Sequence, residues 1–251
     1  TMTYCIMAAL HESDKVELSL KSGEVSGVEA LIRWRHPERG VLTPGSFIGL
    51  AEECGLIVPI GDWVLASACE QAKAWRRQGL PPMRIAVNIS APHFGRADFA
   101  RRVEALLASS GMEPSMLELE LTESMVMSRS RQVLETLEAL RDIGVRLSLD
   151  DFGTGFSSLG YLRSFPIQRL KIDQSFVREA HLNPVNASII RAIVALARSL
   201  SIEVVAEGVE MEAELALVRD SGCDESQGYL HAKPMCSDAF VAWMEAEKSR
   251  E

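Results

Sequence analysis

Short apolar runs alternate with longer amphipathic segments from end to end, which predicts an α/β fold. Eight such runs are present, the number that closes a (β/α)8 TIM-like barrel. The first two, 16–20 and 25–34, are joined only by Lys21-Ser22-Gly23-Glu24, too short for a crossover helix, so they pair as an antiparallel hairpin. The expected architecture is a barrel with an antiparallel first strand; an open sheet with an antiparallel edge is the alternative. The 251 residues, 47% of them hydrophobic, suffice for one such barrel or for two smaller domains. With no Ser-, Gly- or Pro-rich linker between the runs, the chain reads as one domain over 1–251.

The remaining strands are expected at 84–89, 117–121, 145–149, 169–172, 203–206 and a short 226–229. The first helix, 44–54, has Thr43 as N-cap and Pro44 in its first turn. Three others end on a glycine suited to the left-handed position after a helix: 60–78 before Gly79, 98–110 before Gly111, and 130–142 shortly before Gly144. Further helices are expected at 157–163, 184–200, 211–221 and 237–248.

A net charge of −9 without any Lys/Arg run argues against binding of a DNA or RNA polymer. Acids converging on one place would instead store affinity for divalent cations, which in turn recruit an anionic substrate. Cys5, Cys54, Cys69, Cys223 and Cys236 show no paired short spacing and read as reduced packing residues, consistent with a cytoplasmic protein. No apolar run approaches the roughly 18–20 residues of a membrane span, and 1–10 lacks the basic start of a signal peptide.

Asp150 and Asp151 close the apolar-alternating run 145–149 and lead into Phe152-Gly153-Thr154-Gly155. Adjacent carboxylates after a buried strand repel each other and are costly unless a cation neutralises them. In a barrel, polar residues at the C-terminal strand ends form a set. Here the set is Glu29 and Arg33 on the second run, Asn88 on the third, Glu120 and Glu123 on the fourth, and Asp150-Asp151 on the fifth. Lys171 and Asp173 end the sixth, Glu207 follows the seventh, and Gln227 ends the eighth. Oxygen ligands without His or Cys indicate a hard cation such as Mg2+, Mn2+ or Ca2+. Five carboxylates exceed the need of one ion, and two ions roughly 3.5–4 Å apart activate water for in-line attack on phosphorus. A rim lysine can hold that water or the developing charge, and Arg33 can clamp a non-bridging phosphate oxygen.

Each residue also has a duller role. Glu29 can be a rim salt-bridge partner, Asn88 a turn former, Glu123 a helix-start acid, Lys171 and Asp173 a solvated strand face, and Gln227-Gly228 a turn. Asp151-Phe152-Gly153 copies a kinase metal tripeptide without the rest of the kinase motifs, and no phosphate-binding glycine loop is present. His11, His36, His93, His181 and His231 share no ligand spacing and read as surface or loop residues.

Val28-Glu29-Ala30-Leu31-Ile32-Arg33-Trp34 resembles the signature of EAL-domain cyclic di-GMP phosphodiesterases. Later blocks agree in order: Val87-Asn88-Ile89-Ser90, Glu118-Leu119-Glu120-Leu121-Thr122-Glu123, Asp150-Asp151-Phe152-Gly153-Thr154-Gly155, Leu170-Lys171-Ile172-Asp173, Ala206-Glu207-Gly208-Val209-Glu210 and Gln227-Gly228-Tyr229. The resemblance runs from about Gly23 to Pro234. It implies hydrolysis of cyclic di-GMP to linear pGpG with two divalent cations, Mg2+ or Mn2+, and inhibition by Ca2+. It also implies a homodimer and, for this chain, a place within a longer regulator. Carried over by motif, Glu29, Asn88, Glu120 and Asp150 hold one metal, and Asp150, Asp151 and Glu207 surround the other. Lys171 and Gln227 position the water, with Glu207 among the catalytic groups. Leu31, Arg33 and Asp173 meet substrate, and Glu123 holds the 152–158 loop, which lies near the dimer contact. One departure falls in the divergent segment 1–15 and just beyond it: Asp14-Lys15-Val16 stands where the family carries Tyr-Gln-Pro. The rival from another class is a barrel that binds cyclic di-GMP without cleaving it.

Overall fold

In the computed structural model, residues 10–127, 131–153 and 162–248 are described. Nine strands form one sheet in the order β1-β9-β8-β7-β6-β5-β4-β2-β3, and an additional β1–β2 pairing closes it into a barrel of eight strands. β1 (Leu10–Ser19) runs antiparallel to both β2 (Val25–His36) and β9 (Glu225–Gln227). The other barrel neighbours, β4 (Arg84–Asn88), β5 (Leu117–Thr122), β6 (Arg146–Phe152), β7 (Arg169–Ile172) and β8 (Glu203–Glu207), pair in parallel. The expected barrel with a reversed first strand is therefore the fold, and the open sheet is not. β1 is longer than the hairpin reading allowed, because its first half continues along β2 as far as Leu10 opposite Trp34. Asp14-Lys15-Val16 lies inside that pairing, so closure does not depend on a Tyr-Gln-Pro start. The small β3 (Gly40–Leu42) folds back on β2 and was not foreseen.

The helices cover the outside. The expected helix 44–54 splits into a 3-10 turn, Pro44–Ser46, and α1 (Ile48–Glu53). At the break, Phe47 takes φ −141° and buries its ring edge-on against Trp34, with centroids 5.8 Å apart. α2 (Ile57–Arg77) follows, then a short α3 (Ala91–Phe94) that the sequence reading lacked, and α4 (Phe99–Ser110), which ends on Gly111 at φ 67°. α5 (Glu123–Met127) and α7 (Gln174–Val177) are single turns at strand exits. α6 (Arg131–Ile143), α8 (Pro184–Ser199), α9 (Glu212–Ser221) and α10 (Ser237–Lys248) follow the expected segments within two residues. Most of the expected helix 157–163 falls outside the described residues; the part described begins a 3-10 turn, Leu162–Ser164. Among the described residues no helix is long and apolar enough to cross a membrane.

Strand alternation yields two interiors. One row of side chains (Ile85, Val87, Leu117, Leu119, Leu121, Leu147, Leu149, Leu170, Ile172) packs outward against the helices and is buried. The other row points into the barrel and is polar, yet Glu17, Glu118, Glu120, Arg169, Lys171 and Gln227 are no more than 1% exposed. Lys171 is thus not on a solvated strand face. Arg169 on β7 proves the direction, since its guanidinium reaches Glu17 on β1 (3.1 Å), Glu118 on β5 (2.7 Å) and Glu225 on β9 across the lumen. Arg84 on β4 joins the same layer through Glu225 at 2.7 Å. Breaking such a buried cluster leaves an uncompensated charge and costs several kcal/mol, on the order of 3–5.

Two smaller expectations are corrected. Cys69 and Cys223 are buried, as packing residues should be, but Cys54 and Cys236 are exposed. His93 is 1% exposed, not on the surface: it packs edge-on against Phe99 and places Nε2 3.0 Å from Asp62.

Candidate active site

One layer above the Arg169 cluster, the same strands repeat the pattern two residues on. Arg169 is followed by Lys171, Glu118 by Glu120, and Glu225 by Gln227, each pair sharing one strand face. The upper layer opens at the C-terminal ends of the parallel strands. Lys171 Nζ lies 2.6 Å from Glu120 Oε1, 2.7 Å from Glu207 Oε1, and 3.7 Å from both Glu29 Oε2 and Asp150 Oδ1. Asn88 Nδ2 donates to Glu29 Oε1 at 2.7 Å, and Gln227 Nε2 donates to Glu29 Oε2 at 3.1 Å. Residues from β2, β4, β5, β6, β7, β8 and β9 thus meet at one place.

The aspartate pair needs a local device to reach it. In a regular strand Asp151 would point away from Asp150. β6 carries a register shift between Leu149 and Phe152, and Asp151 takes φ 55°, the left-handed region that non-glycine residues occupy at a cost on the order of 1 kcal/mol. Its N–H donates to Asp150 Oδ1 at 3.0 Å. The bulge turns both carboxylates to the mouth, where ligand atoms of Asp150, Asp151 and Glu207 lie within 4.8 Å of one another. Gly228 holds the β8 and β9 exits together: a Cβ there would sit 2.0 Å from Val209 O, so only glycine lets Glu207 and Gln227 approach side by side.

Positive charge is scarce in this layer. Burial pushes Glu207 up from an ordinary 4.5 to about 7; Lys171 draws it back and Asp150 pushes it further. Burial raises Glu120 well above the carboxylate range, with Lys171 opposing and Glu29 and Asp150 adding repulsion. Burial raises Asp150 and Asp151 in the same sense, the second also repelled by Glu207 and Asp173. Glu29 alone goes the other way. Burial would raise it, but Lys171, Lys15, Asn88 and Gln227 outweigh burial and hold it at about 2. Lys171 stays protonated, because Asp150, Glu120, Glu207 and Glu29 overcome the burial that would lower it. Glu120 Oε2 and Gln227 Oε1 are buried without a hydrogen-bond partner. Carboxyls raised by burial and by mutual repulsion, with an orphaned oxygen among them, fit a hard divalent cation, which would supply the missing charge.

The other expected residues lie around this centre. Leu31 and Arg33 follow Glu29 on the same face of β2, both half-buried, with Arg33 Nη1 donating to Ile32 O at 2.9 Å. Asp173 caps α7, its Oδ1 accepting from Ser175 N at 3.0 Å and from the Ser175 hydroxyl. Glu123 is buried at the first position of α5. The 152–158 loop lies outside the described residues beyond Gly153.

Residues 18–234 match the EAL domain family. The chain belongs to that family. The bifunctional diguanylate cyclase/cyclic di-GMP phosphodiesterase MucR of Pseudomonas aeruginosa is 46% identical over 233 residues, 93% of this EAL chain and 34% of MucR. The cyclic di-GMP phosphodiesterase PdeR of Escherichia coli is 44% identical over 221 residues, 88% of this chain and 33% of PdeR. The chain spans about a third of the length of these two curated relatives. The solved structure of the MucR phosphodiesterase of P. aeruginosa in complex with cyclic di-GMP superposes with TM-score 0.89 at 44% identity, covering 93% of this chain and 94% of that one.

Sequence reasoning missed two parts of this EAL domain. Lys15 faces Glu29 across β1–β2, in the part of β1 that precedes the expected strand 16–20. Of the Glu17, Glu118, Arg169 and Glu225 cluster beneath the site, Glu118 and Arg169 were legible as charge alternating with apolar residues in Leu117-Glu118-Leu119-Glu120-Leu121 and Arg169-Leu170-Lys171-Ile172, whereas Glu225, in Asp224-Glu225-Ser226, carries no such pattern.

Proposed function

We propose that this EAL domain hydrolyses cyclic di-GMP to linear pGpG, using two divalent cations. The observation that carries the reading is the convergence of Glu29, Glu120, Asp150, Asp151 and Glu207 on one buried lysine at the barrel mouth. The likeness to MucR and PdeR supports the substrate. Glu29, Asn88, Glu120 and Asp150 would hold one ion, and Asp150, Asp151 and Glu207 the other. Mg2+ or Mn2+ is the expected ion, with Ca2+ inhibitory. Bound there, the ions supply a polarised water and charge neutralisation at phosphorus.

The chain's own residues do the rest. Lys171 Nζ, kept charged by its acidic neighbours, donates to the attacking water or to the charge growing on the phosphoryl oxygens. Gln227 Oε1, without a partner, accepts a hydrogen from that water and aims its lone pair. Arg33 binds a non-bridging phosphate oxygen, and Leu31 packs against the nucleotide. Asp173 lines the rim and Glu123 supports the neighbouring loop. Association into a homodimer near that loop is part of the same reading.

The test is turnover of cyclic di-GMP with Mg2+ or Mn2+ over a range of protein concentrations, with pGpG as the product. Tight binding without product under every metal would establish the non-catalytic receptor instead.

A further inference from the structure

The single turn α7 is wedged between the strand exits that carry Asp150, Asp151 and Glu207. Gln174, at its start, packs on the β8 exit, where a Cβ on Gly208 would sit 2.4 Å from Gln174 Cβ. Phe176 packs on the β6 exit, where a Cβ on Gly153 would lie 2.9 Å from its ring. Gly208 follows Glu207 directly, and Gly153 lies two residues beyond Asp151. The seat of α7 therefore governs how far Glu207 stands from the two aspartates, whose ligand atoms lie within 4.8 Å of its own. A turn of four residues has too few internal hydrogen bonds to hold itself in place, so an anchor is needed.

Glu214 on α9, only 2% exposed, is that anchor. Its Oε1 accepts from Glu179 N at 2.8 Å, just past the end of α7. Its Oε2 accepts from Glu210 N at 2.9 Å and Met211 N at 3.1 Å, in the loop that leaves Glu207. The Met211 bond is an ordinary helix cap, but the Glu179 bond joins residues 35 positions apart. Glu179 takes φ 54°, a conformation that a non-glycine residue keeps only where its surroundings fix it. The Arg178–Glu210 ion pair spans the same gap, yet its side chains are 56% and 38% exposed and solvent screens it. One buried carboxylate thus clamps the end of α7 to the β8 exit. We propose that Glu214 is a positioning residue of the active site, holding α7 against the β8 exit so that Glu207 stays within reach of the cation it shares with Asp150 and Asp151. The assignment rests on the metal-dependent phosphodiesterase reading.

Three variants separate this role from a plain helix cap. Glu214→Ala removes every acceptor, Glu214→Gln keeps one oxygen, and Ala216→Gly, at an exposed position of α9, weakens the helix with the clamp intact. Mn2+ binding is read by calorimetry without substrate, amide exchange at Glu179 in EDTA, and kcat and KM with cyclic di-GMP, all at a temperature where circular dichroism shows each variant folded. Glu214→Ala is expected to weaken Mn2+ by roughly tenfold, the scale seen for groups that orient metal ligands, and to lower kcat similarly with KM within about twofold. Exchange at Glu179 should quicken by about tenfold or more, since its N–H loses its acceptor. Glu214→Gln should show the same changes at about threefold, the scale of one lost hydrogen bond, and Ala216→Gly should match wild type. Unchanged Mn2+ binding in both Glu214 variants overturns the proposal, as does an equal loss in Ala216→Gly, which would make helix stability the cause. Wild type that binds Mn2+, with these differences among the variants, but yields no pGpG overturns the phosphodiesterase reading and upholds the positioning role. Wild type that binds no Mn2+ overturns both.

Discussion

Replacing Glu207 by Gln is expected to stabilise the metal-free protein at pH 8 while abolishing turnover. In the folded chain Glu207 holds its proton up to about pH 7, whereas in the unfolded chain it releases it near 4.5. Between those values the unfolded state binds fewer protons, so the contribution of Glu207 to stability is complete below 4.5 and is lost as pH rises through 7. A gap of about 2.5, at about 1.36 kcal/mol for each, amounts to about 3 kcal/mol. The side chain is only 13% exposed, so solvent screens little of this. Gln never ionises and escapes the loss. Urea denaturation in EDTA at pH 5 and pH 8 gives stability for both proteins, and the change in their difference between the two pH values cancels every pH-independent consequence of the substitution. That difference should move in favour of Glu207→Gln by about 2–3 kcal/mol from pH 5 to pH 8. A difference that stays constant, or moves the other way, refutes the electrostatic account of the site. Added Mg2+ should stabilise wild type at pH 8 more than the variant, which keeps the residues assigned to one ion and loses a residue assigned to the other.

Three further outcomes follow from the same geometry. Asp150→Asn, assigned to both ions, should lower kcat by roughly 10³-fold or more with the melting temperature in EDTA no lower than wild type; near-normal turnover would remove Asp150 from the metal set. Lys171→Met should lower kcat far more than it raises KM, since Lys171 acts on the transition state; steady-state kinetics showing a rise in KM alone would make it a ground-state contact. Arg169→Ala should destabilise the fold by about 3–5 kcal/mol, because Glu17, Glu118 and Glu225 lose their shared partner; a loss under about 1 kcal/mol by denaturation would mean that the lower layer is dispensable.

The site was legible to the extent that its chemistry lies at strand ends. A barrel puts every C-terminal strand end at one mouth, so Glu29, Asn88, Glu120, Asp150, Lys171, Glu207 and Gln227 could be grouped before any contact was known. The single turns α5 and α7 were not legible, since four or five residues carry too little periodicity to separate a helical turn from a loop. The break at Phe47 was hidden for another reason: the sequence 44–54 reads as one helix, and only burial of the Phe47 ring against Trp34 interrupts it.

The sequence by itself determined the alternation of strands and helices, the reversal of β1 through a four-residue turn, and the supply of oxygen ligands at successive strand ends. These are local properties, set by spacing and residue type. The tertiary structure decided which way each alternating strand faces. Period two separates a polar row from an apolar row, but in a closed barrel both rows are buried, and only closure shows that the polar row of Glu118, Glu120, Arg169 and Lys171 is the inner one. Closure also brings Gln227 to Lys15 across 212 positions, and the bulge at Asp151 turns a carboxylate that regular alternation would have pointed away. Such pairings depend on the register between distant strands, which no local pattern encodes.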